Sequence, residues 1–162
     1  MKKFLFVPLF AFSFLFVTNI NAQDYKTALG VRLSSAAASV NNSISIKHFI
    51  NEKTAIEGLF SFGDPLAFGA LVEFHKPLSS EGLRYYYGAG GYLSFVKTFD
   101  PLKQKNEIDP NFGAQGVIGL DYKFSNIPLN ISLDWKPELN IVSDINFEPA
   151  AIGFTVRFTF SK

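Results

Sequence analysis

The chain offers few side chains that could carry out catalysis or hold a metal ion. Its two histidines are His48 and His75, and Glu73 shares the strand parity of His75, so these two could act as a base and its acid partner. No serine stands in a motif that would make it the nucleophile. Two distant histidines in a chain without cysteine are a poor zinc set. We predict no catalytic residues, no metal site, no cofactor and no enzymatic activity.

Phosphate binding is not indicated either. The glycine-rich segment 88–91 alternates as a strand, and no helix follows it, so it is not a phosphate loop. The composition, 48% hydrophobic and 18% charged residues, is too apolar for a disordered chain. A length of 162 residues corresponds to one domain. The interior and the surface of that domain must therefore supply the function.

The N-terminus has the pattern of a secretory signal peptide. Lys2 and Lys3 precede an uncharged apolar stretch, 4–17, and a more polar segment ends at Ala22. The apolar stretch is too short to cross about 30 Å of hydrocarbon, so we expect cleavage rather than anchoring. The prediction is a signal peptide over residues 1–22 and a mature domain over 23–162.

Removal of the signal peptide leaves a nearly neutral chain. Two lysines are lost, so basic residues fall from 15 to 13 against 14 acidic residues. No basic block remains, and nucleic-acid binding is therefore not expected. No stretch of the mature chain is apolar and long enough for a transmembrane helix. Without cysteine, neither a disulfide framework nor a lipid attachment after the signal is available.

Apolar and polar residues alternate along most of the mature chain, as in strands with one apolar face. The clearest stretch is 150–160, where every second residue is apolar. Phe49, Leu71 and Val117 are apolar residues on the polar parity, and Pro137 lacks the N–H that a strand needs. The predicted strands are 25–34, 43–50, 54–62, 66–75, 83–96, 112–124, 127–139 and 150–160.

Eight strands without helices predict an all-β fold, an eight-stranded antiparallel up-and-down transmembrane β-barrel whose closure removes the unpaired edges of an open sheet. With both chain ends on the periplasmic side, the connections divide into short and long sets. The predicted periplasmic turns are 51–53, 76–82 and 125–126. The predicted outward loops are 35–42, 63–65, 98–111 and 142–148.

The segment Ala-Ala-Ile-Gly-Phe-Thr-Val-Arg-Phe-Thr-Phe, residues 150–160, resembles the closing strand of outer-membrane β-barrel proteins. In that family, a C-terminal aromatic residue after alternating apolar positions is read by the barrel-assembly machinery, and Phe160 matches it. The mature chain is similar to small eight-stranded outer-membrane proteins of the Bacteroidetes type. The resemblance implies the outer membrane of a Gram-negative bacterium as the location, with membrane lipid and the assembly machinery as partners.

The polar parity carries seven basic residues, five acidic residues and one histidine. The interior of an eight-stranded barrel is only just wide enough for side chains, so paired charges filling it are expected. Alternatively, Gly88, Gly90, Gly113, Gly119 and Gly153 leave room for a narrow channel or a small cavity. The predicted inward charges are Lys26, Arg32, Lys47, Glu57, Glu73, His75, Arg84, Asp121, Lys123, Asp134, Lys136, Glu138 and Arg157.

Three hypotheses about function follow. The first is a monomeric outer-membrane barrel with a structural or surface-interaction role carried by its loops. The second is a barrel of the same architecture that acts as a narrow channel or that binds or transports a small molecule or a lipid. The third is a soluble periplasmic carrier similar to a lipocalin, with the apolar parity facing inward.

Overall fold

The computed structural model describes residues 25–34, 39–62, 65–100, 104–142, 145–149 and 151–160, so the predicted signal peptide lies outside the described residues. No helix in these ranges is long and apolar enough to cross a bilayer. The described chain forms ten β-strands, namely β1 Thr27–Ser34, β2 Ser43–Phe49, β3 Thr54–Ser61, β4 Leu66–Pro77, β5 Leu83–Asp100, β6 Lys105–Lys123, β7 Leu129–Trp135, β8 Glu138–Asn140, β9 Asn146–Glu148 and β10 Ile152–Phe160.

The strands close into a barrel in which every paired neighbour is antiparallel. Strands β1 to β7 pair in chain order, and β10 pairs with both β7 and β1, so the ladder returns to its start. The short strands β8 and β9 pair with each other, and β8 also pairs with β6. They continue β7 and β10 as two interrupted strands. The ten segments therefore form eight barrel strands, each of which is called here a stave. The predicted eight-stranded antiparallel barrel is confirmed.

The break between β7 and β8 falls at Pro137, where the sequence predicts a weakened strand. Proline donates no hydrogen bond, but its neighbours keep the ladder in place. The N–H of Lys136 donates to the oxygen of Ala151 at 2.8 Å, and the N–H of Gly116 donates to the oxygen of Pro137 at 3.0 Å. The indole N–H of Trp135 donates to the oxygen of Pro149 across the same break. The interruption therefore bends two staves without opening the wall.

The two ends of the barrel differ. One end, called here the turn end, has the tight connections 50–53, 78–82 and 124–128. From the other, the hairpin end, β5 and β6 project as one long hairpin that remains paired to Asp100 and Lys105. The prediction of a loop over 98–111 was wrong for 98–100 and 105–111, because two strands can pair with each other without alternating apolar side chains. Gln104, just before β6, has a φ of 48°, in the left-handed region.

Side-chain burial follows the predicted parity. In β10 the five apolar side chains are 40–52% exposed, whereas Gly153, Thr155, Arg157 and Thr159 are buried. The strand β4 alternates in the same way along almost its whole length. The outer wall is therefore apolar and the interior is rich in polar groups. This arrangement is the reverse of the apolar interior that the lipocalin-like hypothesis requires.

Candidate functional site

The barrel interior is the first candidate functional site, because it collects most of the charged residues of the strands. Of the thirteen charged or histidine residues predicted to face inward, eleven are buried. Lys26 is exposed and Arg84 is half-buried at the turn end. The buried set contains five cations and five carboxylates in addition to His75, so the charges balance in number. We call the following interacting residues the charged network: Arg32, Lys47, Glu57, Glu73, His75, Tyr86, Asp121, Asp134 and Arg157.

Arg157 of β10 lies at the centre of the charged network. Its guanidinium pairs with the carboxylate of Glu57 on β3. Its Nε donates to Ser45 Oγ at 2.7 Å, and one Nη donates to Ser132 Oγ at 2.9 Å and to Asn130 Oδ1 at 3.2 Å. A guanidinium has five donors in a rigid fork, which suits it to such a position. One side chain thus ties together strands β2, β3, β7 and β10.

Lys47 of β2 spans the barrel in another direction. Its Nζ lies 2.8 Å from a Glu73 oxygen on β4 and 3.6 Å from an Asp121 oxygen on β6. The ammonium also lies 4.4 Å from the centre of the Tyr86 ring, which adds a cation–π contact. Strands β2 and β6 are on opposite sides of the closed ladder, so this group crosses the lumen.

Arg32 and Asp134 form the third part of the charged network. The Arg32 Nη1 atom lies 2.7 Å from Asp134 Oδ1, and the Tyr86 hydroxyl donates to Asp134 Oδ2 at 3.0 Å. These contacts join β1, β5 and β7. Buried charges are stable only when they are paired and hydrogen-bonded, and here each has a partner from a different stave. These buried contacts link the three strands through the interior.

The predicted pair Glu73 and His75 is brought together, with His75 Nε2 2.9 Å from a Glu73 oxygen. The imidazole stacks on Tyr86 at 4.9 Å between ring centres and packs edge-on against Phe49. The Glu73 carboxylate also pairs with the Lys47 ammonium group. His48 faces outward, with its Nδ1 2.8 Å from Thr27 Oγ1, so the two histidines lie on opposite faces of the wall.

Among the described residues, no group of three or more histidine, aspartate or glutamate side chains is arranged to hold a metal ion. The absence of catalytic and cofactor residues stays a prediction.

The inward glycines make room for neighbouring side chains. A Cβ at Gly153 would overlap the Arg32 guanidinium, and one at Gly113 would overlap the Tyr92 ring. At Gly119 a Cβ would lie 2.8 Å from the Tyr86 ring. The space that the sequence offers for a channel is therefore taken up at these three positions by large interior side chains.

The half of the interior nearer the hairpin end contains an apolar cluster that the parity rule does not predict. Leu71 and Val117, two of the apolar exceptions on the polar parity, are 1% and 5% exposed there. They surround Val40, which is itself 1% exposed although it lies between β1 and β2 rather than in a strand. We call the surrounding residues the socket: Leu59, Ala67, Leu71, Tyr92 and Val117.

Residues 39–42, called here the mouth plug, turn into the barrel. The backbone N–H groups of Ser39 and Val40 donate to the Glu138 carboxylate at 2.8 and 3.2 Å. The Ser61 hydroxyl donates to Asn41 Oδ1 at 2.5 Å and to the Asn42 oxygen at 3.1 Å. The prediction that the whole of 35–42 is an outward loop was therefore wrong for 39–41, whereas Asn42 is exposed. Glu138 is a buried carboxylate that two backbone donors satisfy.

The signal for the mouth plug was present in the sequence as two separate irregularities. Val40 is the one large apolar residue in a loop of serine, alanine and asparagine, and Leu71 and Val117 are apolar residues on a polar face. Each is unremarkable by itself. Together they indicate that the loop places an apolar side chain inside the barrel.

The outer wall near the turn end carries aromatic pairs. Phe74 and Tyr87 have ring centres 5.8 Å apart, and those of Phe158 and Phe160 are 5.3 Å apart. The Lys76 ammonium lies 5.8 Å from the centre of the Tyr87 ring. Aromatic rings with a nearby cation suit the boundary between hydrocarbon and water. The outer wall at the turn end therefore has side chains of the kind found at such a boundary.

Comparison with known proteins shows the fold. No protein-family model and no curated protein matches the sequence. The crystal structure of the N-terminal beta-barrel domain of Pseudomonas aeruginosa OprF is similar, with a TM-score of 0.59. The sequences are 14% identical, and the match covers 85% of this chain and 100% of that chain. The chain therefore shares a barrel fold with that domain.

Proposed function

We propose that the chain is an integral outer-membrane β-barrel with a structural or surface-interaction role and an obstructed lumen. The observation that carries the proposal is the polarity of the wall, with an apolar exterior and a paired set of charges inside. In water the exposed apolar side chains would form a continuous surface far larger than soluble proteins tolerate. In a bilayer the same surface is solvated by hydrocarbon, and the closed ladder satisfies the backbone.

The similarity to the OprF domain supports the outer membrane as the location of this chain. The similarity extends over the full length of that domain, and its barrel belongs to an outer-membrane protein. Membrane lipid on the apolar wall and the barrel-assembly machinery at Phe160 are the proposed partners of this chain. Phe160 is 48% exposed on the outer wall and pairs with Thr27, so its ring is accessible on the closing strand. We propose a monomer, since closure uses the chain's own first and last strands.

Two features, one after the other along the barrel axis, support an obstructed lumen. The charged network crosses the interior, and the mouth plug covers it toward the hairpin end. The mouth plug also withdraws Val40 from the surface. The projecting β5–β6 hairpin is then the largest described element available for contacts outside the bilayer.

Heat-modifiability tests the membrane barrel. The chain is expressed with its N-terminal segment, outer membranes are isolated, and SDS gel mobility is compared with and without boiling. A detergent-extracted band that shifts on boiling supports the proposal. A protein that is recovered without detergent and does not shift would contradict it. Phe160→Ala, compared with Phe158→Ala, tests the assembly signal through the amount of heat-modifiable protein in the membrane.

A narrow channel or small-ligand cavity is the second candidate, and Lys136 favours it. This residue is 1% exposed, and its Nζ has no hydrogen-bond partner among the described residues. A buried ammonium requires water or an anion unless a side chain satisfies it. Planar-bilayer recording distinguishes the two candidates. A silent bilayer supports the obstructed lumen, and a conductance that Lys136→Gln changes supports the channel.

A further inference from the structure

The β5–β6 hairpin extends past its neighbours on both sides. The last β4 residue paired with β5 at this end is Leu66, opposite Phe95, and β8 reaches Gly113 of β6. Residues 96–100 of β5 pair with β6 alone among the described strands. Five residues of strand at about 3.3 Å each give an edge of about 16 Å with unpaired backbone groups.

The two edges of the projecting hairpin differ in their protection. The β6 edge carries Pro110, which has no N–H, and the charged residues Lys105, Glu107 and Asp109. Proline and charge are the usual devices that prevent another strand from pairing with an edge. The β5 edge, 96–100, also carries charges, Lys97 and Asp100, but it contains no proline. The β6 edge is thus protected by a missing N–H donor, whereas the β5 edge keeps all its donors and is left open.

A groove lies at the foot of the open edge. It has a volume of about 420 Å³ and is lined by Leu66, Phe95, Lys97 and Ile108. Ile108 is 63% exposed, although it pairs with Lys97 in the middle of the projecting hairpin. The groove combines three apolar side chains with one ammonium group. It continues directly from the β4–β5 ladder, so its floor is already shaped by a strand pairing.

We propose that the β5 edge, residues 96–100, is a docking site for an extended segment of another polypeptide. The segment pairs antiparallel with β5, in line with β4, and presents a carboxylate beside Lys97 with apolar residues at the alternate positions. This inference rests on the proposed function, because the edge must lie outside the bilayer. In the surface-interaction role, residues 96–100 would be the binding surface, and the partner would be an extended segment that carries a carboxylate.

The β5 edge is suited to binding an extended strand of another polypeptide. The N–H and C=O groups that alternate residues point away from an edge are satisfied by the backbone of an extended peptide, which also places alternate side chains in a groove. Lipid has no such repeated donors. Pairing of two copies through this edge would bring two Lys97 ammonium groups to one interface, and like charges across a strand pair are destabilising. The groove therefore favours an acidic partner over a second copy.

The probe is a fluorescein-labelled peptide, Thr-Val-Thr-Glu-Thr-Val-Thr, with a matched peptide that has Lys in place of Glu. Fluorescence polarisation is measured with the refolded full-length mature protein in micelles, and empty micelles are the blank. A Glu peptide that is N-methylated at its central residues tests the backbone contribution. The variants are Lys97→Glu and, as a control with the same charge change on the protected edge, Lys105→Glu. Every sample is first shown to be heat-modifiable.

The Glu peptide should bind the unsubstituted protein, and the N-methylated form should not. Lys97→Glu should weaken the Glu peptide by about twofold to fivefold, as expected for an exposed ion pair, and should strengthen the Lys peptide. Lys105→Glu should change neither.

Three results would overturn the docking site: no binding to heat-modifiable protein, equal binding of the N-methylated peptide, or equal effects of the two variants. Dimers that form through the edge would assign it to a second copy. Loss of heat-modifiability would instead count against the membrane barrel.

Discussion

Breaking the pair between Arg157 and Glu57 should be among the most damaging single changes in the barrel. Arg157→Met removes the ion pair and the donors to Ser45, Asn130 and Ser132, and it leaves the Glu57 carboxylate buried at 2% exposure. Removal of one partner of a buried pair costs about 3–5 kcal/mol, because the remaining charge is uncompensated. Replacing both partners should be far less damaging, so Arg157→Met with Glu57→Leu should recover most of the loss.

Urea unfolding in micelles measures this effect. Trp135 is the chain's one tryptophan and is 44% exposed on the outer wall, so its fluorescence reports transfer from detergent to water. With a denaturant slope of about 2 kcal/mol per molar, Arg157→Met should lower the urea midpoint by about 1.5–2.5 M. Arg84→Met is the control, because Arg84 is half-buried at the turn end. Two results would refute the reasoning. One is a urea midpoint for Arg157→Met within about 0.5 M of that of the unsubstituted protein. The other is a double variant whose loss of stability equals the sum of the losses from the two single changes.

Three further predictions concern the outer wall, the crowded interior and the mouth plug. Val31→Arg, at mid-strand on the outer wall, should destabilise the barrel by about 2–4 kcal/mol in vesicles, whereas Ile50→Arg at the turn end should cost at most about 1 kcal/mol. Gly153→Ala should cost about 1–3 kcal/mol in the urea assay, because the Cβ overlaps a buried guanidinium. Leu71→Cys alone should resist labelling by a membrane-impermeant maleimide, because the mouth plug covers the socket. Adding Val40→Asp should allow labelling, because a second carboxylate cannot remain in the socket beside Glu138.

Each of these predictions has its own control. Val31 and Ile50 are both 55% exposed, so equal losses from the two arginines would mean that depth in a bilayer is not what matters. Gly116→Ala should be tolerated, since its nearest neighbour lies 3.7 Å from the added Cβ, and a cost equal to that of Gly153→Ala would argue against local crowding. Rapid labelling of Leu71→Cys without the second change would show that the mouth plug does not cover the socket.

The sequence predicts the wall of this barrel well because one physical constraint acts on every strand residue. Side chains alternate between two environments, so the parity of Arg32, Glu57 and Arg157 is sufficient to place them inside. The same logic identifies Pro137 as the weak point of its stave. Partner choice does not follow from parity. Which carboxylate Arg157 meets depends on the stagger of strands around the closed ladder, and single-strand patterns do not encode that stagger.

The predictions that failed concern segments whose neighbours come from distant parts of the chain. The mouth plug folds inward because Glu138, nearly one hundred positions away, accepts its N–H groups. The projecting part of the β5–β6 hairpin was predicted as a loop over 98–111 because charged residues and Pro110 replace the alternating pattern. Its two strands stabilise each other through backbone pairing. In both cases the deciding contact lies outside the window in which periodicity can be read.

The position of Arg157 in the closing strand has a consequence for the order in which the barrel can form. Before β10 arrives, the growing sheet already carries all five of the buried carboxylates but only four of the five buried cations. Glu57, on the third strand to emerge, must wait for a residue one hundred positions later. The sheet that lacks only β10 is therefore open at its edges and carries one carboxylate more than its cations on the inner face. Charge neutrality and geometric closure are reached in the same final step, which favours all-or-none insertion over stable partial barrels.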